Sequence, residues 1–171
     1  AKDNGYSIDI DDDIDLTLEF SLKEATDFVK DLKLPFTPYD YQLKAFVHTV
    51  RRQRQINLMA TNAGKSLTIY LLTKILPGKT LIVVPTINLV DQMVGDFAEY
   101  AQNIEWDAHE NCQMIAEGAT KKITKDIVVS TWQSIYKMDS KWLSQFHNII
   151  GDEVHQFTAE CVKGLMENCN A

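Results

Sequence analysis

The sequence predicts an α/β fold, with a parallel sheet covered by helices on both faces. Three features carry that reading. From residue 56 onward, short apolar runs alternate with helical patterns, and strands alternating with helices pack as a parallel sheet between helix layers. One apolar run leads into Ala63-Gly64-Lys65-Ser66 at a helix start, the form of a phosphate-binding loop. Another runs through Ile149-Ile150 into Gly151-Asp152-Glu153-Val154-His155. The carboxyl ends of buried parallel strands are where ligands bind in open α/β sheets.

The elements follow in order. Tyr6, Ile8 and Ile10, then Ile14, Leu16, Leu18 and Phe20, alternate with polar residues, so period two predicts one or two strands broken near Asp11-Asp12-Asp13. That aspartate run reads as a solvated turn, because a calcium loop needs more widely spaced ligands and a glycine. Ser21 and Glu24 form a capping box that opens a helix to about Leu32. Pro35 and Pro38 end it and make a linker. A helix from Asp40 to about Gln53 places Ala45, Phe46, Val47 and Val50 at apolar positions. A strand is expected at Ile56 to Ala60, a helix at Lys65 to Ile75, and a turn at Pro77-Gly78. Then come a strand at Thr80 to Val84, a helix at Leu89 to Tyr100, and a strand around Gln113 to Ala116. A loop through Gly118 leads to a strand at Ile127 to Ser130 and a short helix near Gln133 to Tyr136. A strand at Asn148 to Asp152 and a helix near Ala159 to Asn168 complete the order.

Length and composition bound the function. A chain of 171 residues fits one domain with a short appendage, and 45% hydrophobic residues suffice for a sizeable core. No run of about 18 apolar residues exists, and the N-terminus is acidic rather than basic-then-apolar, so neither a membrane span nor a signal peptide is expected. Cys112, Cys161 and Cys169 are odd in number and widely spaced, and they read as reduced thiols of a cytoplasmic protein. The histidines do not cluster with them, so no structural metal is expected. The net charge of −7 is local: residues 1 to 31 carry ten acidic and three basic residues, leaving 14 of each sign in the remainder. No broad basic face serves nucleic acid, so any such contact comes from a few placed groups.

The motif residues suggest a nucleotide triphosphatase site. Backbone N–H groups of Thr61, Asn62, Ala63, Gly64 and Leu67, at the loop and helix start, are expected to face phosphate oxygens. Lys65 reaches the β and γ phosphates, and the Ser66 hydroxyl suits Mg²⁺. Met59 takes the position of the usual first glycine and Asn62 that of a frequent second one. Asparagine tolerates the left-handed backbone such a turn needs. Downstream, Asp152 is expected to hold the Mg²⁺ hydration shell and Glu153 to orient and deprotonate water, which with Lys65 makes a workable set for phosphoryl transfer. His155 reads either as a gate between nucleotide state and a neighbouring element or as a hydrogen-bonded surface group.

Five blocks in order, from Tyr39 to His155, resemble the superfamily 2 helicases with a DEAH-like motif II. Asp152-Glu153-Val154-His155 resembles that motif II, and the stretch from Ala60 to Ser66 resembles motif I. Tyr39-Asp-Tyr-Gln42 resembles the adenine-reading segment upstream. Val83-Val-Pro-Thr86 with Leu89-Val-Asp-Gln92 resembles motif Ia, and Val128-Val-Ser-Thr131-Trp-Gln133-Ser resembles the motif near Ib and Ic. The resemblance implies a RecA-like ATP-binding domain over residues 35 to 171, with residues 1 to 34 as an accessory segment of strands and one helix. It implies that Gln42 bonds the adenine edge and that Tyr39 stacks on adenine, core packing being the alternative for Tyr39 and Tyr41. Pro85, Thr86 and Thr131 would touch the phosphates of one strand, contacts that carry no base sequence. Gly118 would allow close backbone approach there or simply make a turn, and Trp132 would stack on a base or pack in the core. The family's motif III and second RecA-like domain, with its arginine finger, are not among the 171 residues, so this stretch alone is expected to hydrolyse ATP poorly. The implied activity is an ATP-dependent helicase using ATP and Mg²⁺ on nucleic acid, DNA before RNA, with branched DNA in recombination and repair as the expected substrate. The rivals are the translocating subunit of a restriction or remodelling complex, and an ATP-dependent switch without motor activity.

Overall fold

Four parallel strands form one sheet in the order β2-β3-β1-β4, with β1 at Thr80–Val84, β2 at Cys112–Ile115, β3 at Ile127–Thr131 and β4 at Asn148–Gly151. The computed structural model describes residues 19–52, 54–60, 62–116 and 121–168. Strands expected before residue 19 therefore lie outside the described residues, as do Thr61 and Gly118. β1 pairs with β3 in the register Thr80 to Ile127, and with β4 in the register Thr80 to Asn148.

Side-chain alternation along β1 separates two apolar cores. Ile82 and Val84 face a cluster that also holds Val129, Phe46, Tyr70, Val94 and Phe97. Leu81 and Val83 face the other, with Ile115, Val128, Ile135, Leu143, Phe146 and Leu165. The first layer comprises α1 at Leu22–Asp31, α2 at Asp40–Arg52, α3 at Lys65–Ile75, α4 at Ile87–Tyr100 and the short α5 at Ala108–Asn111. The second comprises α6 at Trp132–Ile135, α7 at Ser140–Leu143 and α8 at Ala159–Asn168. The sheet is thus covered on both faces, as the alternation of elements predicts.

The expected capping box opens α1: the Glu24 amide donates to Ser21 Oγ at 3.2 Å, and the Ser21 amide to Glu24 Oε2 at 2.7 Å. α1 docks on α2 through Phe28 stacked on Phe46, with Phe20 edge-on to the same ring. Ala25 and Val29 are buried in the same core as β1.

One expected element is absent. Residues 56–60 form no strand, and Ile56 and Leu58 are 88% and 95% exposed. An apolar run becomes a strand only when a neighbour takes its backbone hydrogen bonds. Here local side chains hold the segment elsewhere. Gln55 donates to Thr49 Oγ1 at 2.6 Å and Asn57 donates to the same oxygen at 2.8 Å, tying the chain back to α2. α5, α7 and a 3₁₀ turn at Val154–Gln156 are additions that no periodicity in the sequence announces.

Candidate nucleotide site

The loop before α3 has the backbone its residues foretell. Asn62 and Gly64 both lie in the left-handed region, at φ 61° and 76°. Gly64 caps α3 with no side-chain hydrogen bond, which leaves the first turn's N–H groups for an anion. Leu67 is 1% exposed, so its side chain belongs to the core and only its backbone can serve a ligand.

Gln42 clamps this loop. It is 6% exposed. Its Nε2 donates to the Ala63 carbonyl at 2.9 Å, and its Oε1 accepts from the Tyr39 amide at 2.9 Å. Both ends of the amide are engaged by the protein. Tyr39 and Tyr41 stack on each other at 5.6 Å and 10°, and both are exposed, so neither packs beneath α2. An open cavity of about 510 Å³ flanks the loop between Tyr41, Ala45, Leu58 and Asn62. Lys65 and Glu153 do not line it, so it is not the phosphate-facing side of the loop.

The acidic pair follows β4 directly. The Asp152 amide donates to the Val83 carbonyl at 2.9 Å, extending the β1 ladder by one bond. Glu153 then turns into the left-handed region at φ 51°. Such a backbone is uncommon for a residue with a Cβ, and at a ligand site it aims a side chain. Gly151 is needed here because a Cβ would come within 2.6 Å of Val154 Cγ2.

Tertiary structure brings the two motifs together. Lys65 Nζ lies 2.8 Å from Glu153 Oε1, with both side chains about three-quarters buried. His155 Nδ1 is 3.4 Å from the other carboxylate oxygen, and the ring is 72% exposed. The hydrogen bond from Lys65 holds the Glu153 carboxyl below the usual range, with the charges of Lys65 and His155 acting the same way. Burial pushes Asp152 the other way, helped by the negative charge of Glu153 and opposed by Lys65. Two adjacent carboxyls are thus set apart by their surroundings, a pattern of functional sites. Among the described residues no three His, Cys, Asp or Glu groups gather as a metal cage. Asp152 and Ser66 are hard oxygen donors, and Mg²⁺ needs only one or two protein oxygens when phosphates supply the rest. A cation would also relieve the unfavourable charging of Asp152, so the residues fit it.

The expected nucleic-acid contacts divide. Thr86 is exposed and caps α4 without a side-chain bond, whereas Pro85 is buried. Thr131 is 7% exposed and its hydroxyl lies 2.9 Å from Ser134 Oγ. Trp132 packs partly buried against the second core. Sequence reasoning missed Tyr100, whose hydroxyl lies 2.9 Å from Ser66 Oγ. Nothing near Ser66 in the sequence announces a partner at the far end of α4.

Comparison with known proteins adds to this geometry. Residues 35–171 match the family described as "Type III restriction enzyme, res subunit". The chain is 34% identical over 180 residues to the ATP-dependent DNA helicase uvsW of Enterobacteria phage T4, covering 97% of this chain and 35% of that protein. It is 31% identical over 121 residues to the DNA 3'-5' translocase XPB2 of Sulfurisphaera tokodaii, covering 71% of this chain and 26% of that one. The crystal structure of the UvsW helicase from Bacteriophage T4 superposes with a TM-score of 0.80 at 30% identity, over 98% of this chain and 62% of that chain. The chain thus spans about a third or less of the length of the curated relatives it matches.

Proposed function

The chain belongs to the type III restriction enzyme res-subunit family, and from that premise we propose that it is the ATP-binding motor domain of an ATP-dependent DNA helicase or translocase. The observation that carries the proposal is the 2.8 Å contact between Lys65 and Glu153, which makes one site of the phosphate loop and the acidic strand end. Two named relatives, a DNA helicase and a DNA translocase, support DNA as the partner. The proposal extends, on the motif resemblance alone, to branched DNA in recombination and repair and to a cytoplasmic setting. A second RecA-like domain would complete the motor, and residues 1–34 would be accessory to it. Among the described residues, no helix is long and apolar enough to cross a membrane.

The residues divide the work. Lys65 neutralises Glu153 and keeps it a weak base. Triphosphate draws Lys65 away. Glu153, relieved of its counter-ion, becomes more basic and takes the proton of the attacking water. The left-handed turn at Glu153 aims it beside the strand end. Mg²⁺, held by Ser66, Asp152 and phosphate oxygens, would neutralise charge on the transferring group. His155, mostly exposed and touching Glu153, relays the state of that carboxylate to a neighbouring element. Gln42 reads adenine by exchanging a loop partner for the base, and Tyr39 offers a stacking face. At the sheet's carboxyl end Thr86 meets a phosphate of one strand, with Pro85 and Thr131 shaping that edge.

The test compares two variants. Lys65→Ala should abolish binding of a fluorescent ATP analogue. Glu153→Gln should keep or raise affinity while single-turnover hydrolysis in the two-domain protein falls roughly 10²- to 10⁴-fold. Near-normal turnover in Glu153→Gln would remove the acidic pair from catalysis. The family match favours a second reading, a translocating subunit of a restriction complex. Strand displacement from a forked duplex supports the helicase, and ATP-driven motion along intact duplex without strand separation supports the rival.

A further inference from the structure

Ser66 and Tyr100 are brought together by the packing of α3 on α4, and their hydroxyl oxygens lie 2.9 Å apart. The Tyr100 ring is held on two sides. Tyr70 packs edge-on at 5.6 Å, and Phe36, in the linker before Tyr39, packs edge-on at 5.6 Å. Tyr70 is fully buried, so the ring has a rigid floor.

A serine hydroxyl has one proton and two lone pairs. When one lone pair faces a cation, the proton must find an acceptor on the other side. In this fold the phenol oxygen of Tyr100 lies within hydrogen-bond distance of Ser66 Oγ. We propose that Tyr100 is a positioning residue for the cation: it accepts the Ser66 proton, fixes the hydroxyl with its lone pair turned to Mg²⁺, and, through Phe36, ties that hydroxyl to the adenine-side segment. This rests on the reading of Lys65–Ser66 as an Mg-ATP loop.

The test is nucleotide binding without turnover. A fluorescent ATP analogue is titrated into the protein and into Tyr100→Phe, across a Mg²⁺ series and in EDTA. The Mg²⁺ midpoint should rise about 2- to 13-fold in Tyr100→Phe, the span of one hydrogen bond. Affinity in EDTA should not change, and Tyr100→Phe should add nothing in a Ser66→Ala background. Phe36→Ala, at an exposed position that does not endanger folding, should raise the midpoint in the same direction by less. An unchanged midpoint in Tyr100→Phe overturns the proposal. So does an equal loss with and without Mg²⁺, which would mark mere packing. Those results leave Mg²⁺-dependent binding by the unaltered protein intact. Absence of that binding, or its survival in Lys65→Ala, refutes the loop reading itself and this proposal with it.

Discussion

Gly64→Ala tests how the phosphate loop is held. Gly64 sits at φ 76°, and a Cβ there would overlap Gln42 Nε2. Two costs follow. A residue with a Cβ in the left-handed region costs roughly 1–2 kcal/mol. The Gln42 amide must also move, and it gives up its bonds to the Ala63 carbonyl and the Tyr39 amide, both 2.9 Å. Each is worth about 0.5–1.5 kcal/mol. The total is about 2–5 kcal/mol, a large share of the roughly 5–15 kcal/mol that stabilises a domain. Gln42→Ala already lacks both bonds and has no amide to collide with. In the double variant only the backbone strain should be new, so the two effects should be less than additive by about 1–3 kcal/mol. Urea denaturation followed by circular dichroism measures the stabilities, and a fluorescent ATP analogue measures the loop. Unaltered stability and affinity in Gly64→Ala, or strict additivity with Gln42→Ala, would refute the idea that loop backbone and glutamine amide contend for one volume.

Two further outcomes concern the core. Phe46 is fully buried between Phe20 and Phe28, so Phe46→Ala should cost about 3–5 kcal/mol in urea denaturation; a loss below 1 kcal/mol would mean that α1 is not packed on α2 as described. Lys74 is pushed down to about 8 by burial, while its ammonium lies 3.0 Å over the Trp106 ring, a contact that favours the charged form and makes the effect partial. A lysine lowered on folding binds fewer protons in the folded state, so stability should rise as pH passes 8. Cys112, raised from 9.0 to about 11 by burial, acts with the opposite sign above pH 9. Denaturation at pH 7.5 and 8.5 should therefore show a gain that Lys74→Met lacks; equal slopes in both proteins would count against the buried amine.

The local grammar of the chain was legible before any coordinates. Ser21 and Glu24 announced their capping box, Asn62 and Gly64 their left-handed turn, and alternating runs the order of strands and helices, because each depends on neighbours in sequence. Lys65, Asp152 and Glu153 were equally readable as candidates for one site, since phosphate and cation chemistry demands those groups at a helix start and a strand end, and Lys65 and Glu153 do meet. What the sequence could not decide were contacts between distant elements. The apolar segment 56–60 reads as a strand, yet it stays outside the sheet, because pairing depends on an available edge and on the hold of Gln55 and Asn57 on Thr49. Gln42 reads as an adenine ligand from its motif, and only packing shows that its amide also grips Ala63. Tyr100 reads as the end of an amphipathic helix, and only the packing of α4 against α3 sets its hydroxyl beside Ser66. Periodicity and motif spacing report which face a residue presents, whereas tertiary packing chooses what that face meets.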